Sequence, residues 1–124
     1  MMNADRVLLV DDDYLSNLAL HEYLEAEGFP VESVYCGPTA LAALRDHPPQ
    51  ALVTDVDLGP GPDGFDVARA ARAACPQLTV VYISAHNGNR HPAEGVPGSE
   101  FVAKPFQGKD IVAALRRAGH LKAA

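Results

Sequence analysis

The sequence predicts a single doubly wound α/β domain, a parallel sheet with helices on both faces. Short β-branched apolar runs alternate strictly with helix-length stretches, and the runs "VLLV" and "VVYI" are continuously apolar. Glycine or proline follows several of the helical stretches, at Gly28, Pro48 and Pro76. Strict alternation implies βαβ crossovers, because parallel neighbours need a long right-handed return. An unbroken apolar run suits a central strand covered on both faces.

The elements follow in order. A first strand is expected over residues 6–10 and a first helix over 14–27, with Asp13 as its N-cap. The second strand spans 31–35 and its helix 39–47; the third spans 51–54 and its helix 63–75. A fourth strand covers 79–84. The segment that should then form a helix, "NGNRHPAEGVPGS" at 87–99, holds three Gly and two Pro and predicts something short or irregular. The fifth strand covers 100–103 and the last helix 108–119, with Ile111, Leu115 and Ala118 at i, i+4 and i+7 toward the sheet. In the first helix Leu20, Tyr23 and Leu24 suffice for a buried stripe. Tyr14, Leu15 and Leu18 then widen the apolar face, either as further core or as an exposed patch for a partner helix.

Composition narrows the function. At 124 residues the chain is one domain's worth, with 48% apolar and 21% charged residues, which excludes a disordered or fibrous chain. A net charge of −6 repels phosphate backbones and anionic lipid, which argues against direct nucleic-acid binding. No apolar run is long enough for membrane insertion and no signal-like start is present, so a cytoplasmic protein is expected. Cys36 and Cys75 have no metal or redox spacing and read as packing residues. His21, His47, His91 and His120 show no ligand pattern and read as surface residues, as do Arg116 and Arg117. No repeat or linker divides residues 1–124, no output domain is evident, and the starting Met favours a free-standing protein.

In a parallel sheet all strand C-termini share one edge. Asp11, Asp12 and Asp13 follow the first strand, Asp55 and Asp57 the third, Ser84 ends the fourth and Lys104 follows the fifth. In the flavodoxin-like order 2-1-3-4-5 the first and third strands are neighbours, so their acids lie roughly 4.8 Å apart. Such carboxylates repel, and relief comes from a raised pKa or a bound cation. An all-oxygen set suits Mg²⁺. Asp12 and Asp55 would hold it directly, Asp11 through water, and the carbonyl of Asp57 offers another oxygen. Lys104 starts roughly 10 Å from the third strand, a gap its stem can largely cross. Asp55 is then a candidate nucleophile toward phosphorus.

Together "VLLVDDD", "LVTDVDLG", "VVYISAH" and "FVAKPF" resemble a response-regulator receiver domain of two-component signalling, of the chemotaxis-regulator kind, over about residues 5–120. The resemblance implies that Asp55 accepts a phosphoryl group, that Asp11 and Asp12 serve Mg²⁺ (or Mn²⁺), and that Lys104 contacts the phosphoryl group. It implies that Ser84 moves to bond that group, that Phe101 rotates with it, and that the bond before Pro105 is cis. It further implies a sensor histidine kinase or a histidine phosphotransfer protein as donor, for which Tyr14, Leu15 and Leu18 are docking candidates, and an effector of unknown identity. The protein would be a switch whose own chemistry is Mg²⁺-dependent self-phosphorylation and slow autodephosphorylation. Asp57 and His86 stand where family members tune the hydrolytic rate.

Three features depart from that family's pattern. The loop "DLGPGPDG" is one residue longer than usual, with Gly59 where Pro is common. The fourth helix is degenerate. Phe101 carries no phenol hydroxyl, so it can repack but makes no new hydrogen bond. Two other readings stay open: a haloacid-dehalogenase-like phosphatase using "DVDLG", and a pseudo-receiver that binds partners without phosphorylation.

Overall fold

A computed structural model of the chain describes residues 5–86 and 88–119. The strands are β1 (Val7–Val10), β2 (Val31–Val34), β3 (Ala51–Asp55), β4 (Thr79–Ser84) and β5 (Glu100–Ala103). The helices are α1 (Tyr14–Ala26), α2 (Gly37–Asp46), α3 (Gly64–Ala74), α4 (His91–Glu94) and α5 (Gly108–Ala118). All strand pairs are parallel and the order is β2-β1-β3-β4-β5, the doubly wound arrangement expected.

Every residue of β1, β3 and β4 is buried, which is why these runs are apolar on both faces. The two-residue period of a strand sorts them into two cores. Leu8, Val10, Leu52, Val80 and Tyr82 pack with Phe65, Ala68 and Ala71 of α3 and Ala40 of α2. Val7, Leu9, Val53, Val81 and Ile83 pack with Leu20 and Leu24 of α1 and Ile111 and Leu115 of α5. β2 is an edge, half-buried, and its Glu32 pairs with Arg6 at 2.9 Å.

Caps explain the helix starts. Asp13 accepts from the Ser16 amide, as expected of an N-cap. Asp63 and Asp66 exchange side-chain-to-backbone bonds in a capping box that starts α3 at Gly64. α2 begins two residues before the expected position, because Pro38 is tolerated in a first turn.

Several side chains differ from expectation. The buried stripe of α1 is Asn17, Leu20 and Leu24; Tyr23 is exposed, its ring against Gly108, where a Cβ would lie 2.5 Å from it. Ala118 is only half-buried, and Val112 and Ala114 complete the inner face of α5. Cys36 is the N-cap of α2, with Sγ 3.1 Å from Thr39 Oγ1, while Cys75 packs on the core. His21 is half-buried against Ser33, at 2.6 Å, and His91 is half-buried among aromatic rings; His120 lies outside the described residues.

The fourth segment is short, as its glycine and proline content predicts: a 3-10 turn over Gly88–Arg90 and one helical turn. Arginines hold it to α3. Arg69 donates to the Glu94 carbonyl at 3.0 Å and Arg72 to the Pro97 carbonyl at 2.7 Å. Arg90 pairs with Glu94 at 2.6 Å and lies over the Phe65 ring. Among the described residues, no helix is long and apolar enough to cross a membrane.

Candidate functional site

The β1 and β3 C-termini are adjacent because Val10 pairs with Thr54 across the sheet. Asp11 and Asp55 therefore emerge side by side, and both are buried to within 6% exposure, whereas Asp12 points to solvent. One carboxylate oxygen from each of Asp11, Asp12 and Asp55 lies within 4.8 Å of the others. This is the convergence the strand order predicted.

The backbone fixes these groups. Asn17 Nδ2 donates to the carbonyls of Asp11 and Val34, at 3.1 and 3.0 Å, which anchors α1 beneath the acid pair. Asp11 Oδ1 accepts from the Asp13 amide at 2.9 Å. Thr54 Oγ1 donates to the Asp55 carbonyl at 2.8 Å, and Gly64 passes so close to that carbonyl that a Cβ there would overlap it. Asn17, Thr54 and Gly64 were not singled out from sequence. A signal existed for Asn17: it sits three residues before Leu20 and seven before Leu24, inside an apolar stripe.

Lys104 bridges from β5. Its Nζ donates to Asp55 Oδ2 at 3.0 Å, so its stem does cross the gap, and the Lys104–Pro105 bond is cis as the resemblance implied. Burial pushes the Asp55 carboxyl up to about 7; the Lys104 bond opposes the rise and the charge of Asp11 adds to it. Burial disfavours the Lys104 charge, but the bond to Asp55 and the field of Asp55, Asp11 and Asp12 outweigh it and raise the ammonium above its ordinary value. The site thus holds a protonatable carboxyl among acids and one fixed cation.

Ser84 ends β4 fully buried, and its Oγ accepts from the His86 amide at 3.1 Å. Asp57 and His86 are exposed at the same edge. Phe101 lies on β5 opposite Tyr82, half-buried and packed on the core. Gly59 has φ of +78°, which proline cannot adopt, so a glycine suits this position of the loop. Tyr14, Leu15 and Leu18 are 61%, 73% and 39% exposed, which makes them an outward patch rather than core. Beside them a groove of about 590 Å³, bordered by Ser16, Leu20, Tyr23, Lys104 and Phe106, opens toward the acids.

An oxygen-only trio with a nearby ammonium can hold a hard divalent cation and receive an anionic group. A family model described as response regulator receiver domain matches residues 7–116. The transcriptional regulatory protein AfsQ1 of Streptomyces coelicolor is 34% identical over 112 residues, 89% of this chain and 49% of that protein. The response regulator MprA of Mycobacterium ulcerans is 30% identical over 113 residues, 90% of this chain and 48% of that protein. The chain spans about half the length of these curated relatives. A crystal structure of a response regulator receiver protein from Sinorhizobium medicae superposes with a TM-score of 0.90 at 33% identity, covering 95% of this chain and 96% of that one.

Proposed function

Because the chain belongs to the response regulator receiver domain family, the phosphoacceptor switches of two-component signalling, we propose that Asp55 is its acceptor. The observation that carries this reading is the position of Asp55: buried at the sheet edge, grouped with Asp11 and Asp12, and bonded to Lys104 at 3.0 Å. The comparisons give no support to a phosphatase or to a pseudo-receiver.

A carboxylate oxygen of Asp55 attacks the phosphorus of a phosphohistidine donor. The O–P bond forms as the P–N bond breaks, and the electron pair returns to the imidazole nitrogen. Lys104 exchanges its bond to the carboxylate for one to a phosphoryl oxygen, and the Ser84 hydroxyl supplies a donor to another. Asp11, Asp12 and Asp55, with the carbonyl of Asp57, would hold Mg²⁺ or Mn²⁺. Such an ion neutralises charge on the transferring group when bound. Burial, with the neighbouring charge of Asp11, raises the Asp55 carboxyl, and a cation among the three acids would relieve both, so site and ion fit.

The donor is a sensor histidine kinase or a histidine phosphotransfer protein, docking over Tyr14, Leu15 and Leu18. The exposure of these three apolar side chains supports that placement. Phosphorylation adds nearly two negative charges at Asp55 and draws Ser84 and Phe101 with it. One relative, AfsQ1, is named a transcriptional regulatory protein, and by that analogy output passes to an effector outside the 124 residues, on another protein or on a longer polypeptide. Turnover is limited to self-phosphorylation and slow hydrolysis, which Asp57 and His86 tune. Intact-protein mass spectrometry after incubation with acetyl phosphate tests this: one phosphate adds with Mg²⁺, none with chelator or in Asp55→Asn. An adduct on Asp55→Asn would move the acceptor elsewhere.

A further inference from the structure

The glycines of the fourth segment make room for rings. A Cβ at Gly88 would lie 3.1 Å from Phe101 Cε1, and one at Gly95 would overlap the His91 imidazole. His91 fills that space between two aromatics. Its ring meets Tyr82 edge-on at 5.5 Å and Phe101 at 5.9 Å with an interplanar angle of 32°. Its Nε2 is 2.8 Å from Ser99 Oγ, which itself donates to the Val96 carbonyl at 2.6 Å. A serine has one hydroxyl proton, so Nε2 carries the hydrogen toward Ser99. The chain closes at Tyr82, whose hydroxyl accepts from the buried Val96 amide at 3.1 Å.

We propose that His91 is the positioning residue that couples Phe101 to the fourth segment, supplying the polar link that a phenylalanine lacks. The Phe101 and His91 rings are in tilted contact, so a displaced Phe101 shifts the imidazole. That shift breaks the bond to Ser99 and loosens the turn from Val96 to Ser99, which is otherwise pinned to Tyr82 and, through Arg72, to α3. Movement at Ser84 thereby reaches the surface as a shift of the fourth segment, although no hydroxyl rides on the β5 aromatic. The degenerate helix is then the output element, its glycines being the space the imidazole and phenyl rings need.

This inference rests on the phosphoacceptor reading, and its test separates the two. Backbone amide spectra of the native protein, His91→Ala and Ser99→Ala are recorded with and without Mg²⁺ and beryllium fluoride, a phosphoryl mimic. In the native protein, Ser84, Phe101, Gly95 and Val96 respond together. In His91→Ala, Ser84 and Phe101 still respond while Gly95 and Val96 lose most of their shift. In Ser99→Ala the response at Val96 weakens but Gly95 still moves. Equal responses of Gly95 and Val96 in native and His91→Ala proteins would overturn the coupling. No response at Ser84 in any of them would instead count against the acceptor reading. Amide exchange without beryllium fluoride gives an independent readout: at Val96 it should speed roughly tenfold in His91→Ala, the factor one net hydrogen bond is worth. An unchanged rate would also overturn the proposal, whatever the outcome at Asp55.

Discussion

Asp55→Asn should stabilise the metal-free protein at neutral to alkaline pH. The Asp55 carboxyl is raised from 3.8 to about 7, chiefly by burial. A group whose folded pKa lies above its unfolded value binds a proton in the folded state that the unfolded state lacks. Stability therefore falls as pH rises from about 4 to about 7, and the full penalty stands above 7. At 1.36 kcal/mol per unit the ceiling is about 4 kcal/mol. Water at the open sheet edge relaxes part of this, so we expect about 2 kcal/mol from the substitution at pH 8. For a chain of 124 residues that is about 8 °C in Tm. The assay is thermal unfolding by circular dichroism, with chelator, at pH 5 and pH 8. The gain should be near 2 kcal/mol at pH 8 and clearly smaller at pH 5. Mg²⁺ at about 100 times its Kd should then stabilise the native protein by about 2.7 kcal/mol and the variant by much less. A variant less stable than native at pH 8 would refute the picture of a strained acid cluster.

Three further substitutions probe separate parts of the site. Lys104→Met removes the only ammonium bonded to Asp55 among the described residues; a charge-assisted bond of about 2 kcal/mol predicts roughly 30-fold slower self-phosphorylation, measured by adduct formation over time. A Cβ at position 59 would meet nothing within 4 Å, but Gly59→Pro forces a residue locked near −65° into φ of +78°, so the urea midpoint should drop by the equivalent of about 2 kcal/mol; an unchanged midpoint would contradict the loop geometry. Asn17→Ala removes the side-chain donor from the Asp11 carbonyl at the foot of the acid pair, while the Val34 carbonyl keeps its bond from the Asp11 amide, and should cost about 2 kcal/mol in urea unfolding while weakening Mg²⁺ binding by calorimetry.

The sheet was legible because β1, β3 and β4 are buried on both faces and carry unbroken apolar runs, so strand, neighbour and the acid-bearing edge follow from one pattern. The acids and Lys104 could be placed because a parallel sheet puts all strand C-termini together. The supports were not legible. Thr54 looks like any β-branched strand residue, and Gly64 like a helix start, until the Asp55 carbonyl is seen between them. Tyr23 misled because its apolar body suggests burial, while helical geometry puts Asn17 on the inner face instead. His91 was read as a surface residue because nothing in a run of glycine and proline announces that the glycines clear space for a ring.

The central claim is that one carboxylate, Asp55, carries the phosphoryl group at the meeting of β1 and β3. Borohydride reduces an acyl phosphate to an alcohol and so marks the acceptor covalently. Protein treated with acetyl phosphate and Mg²⁺, then reduced and digested, should yield homoserine at position 55 and aspartate at positions 11, 12 and 57. Homoserine at any of those three positions, with Asp55 left intact, would contradict the account.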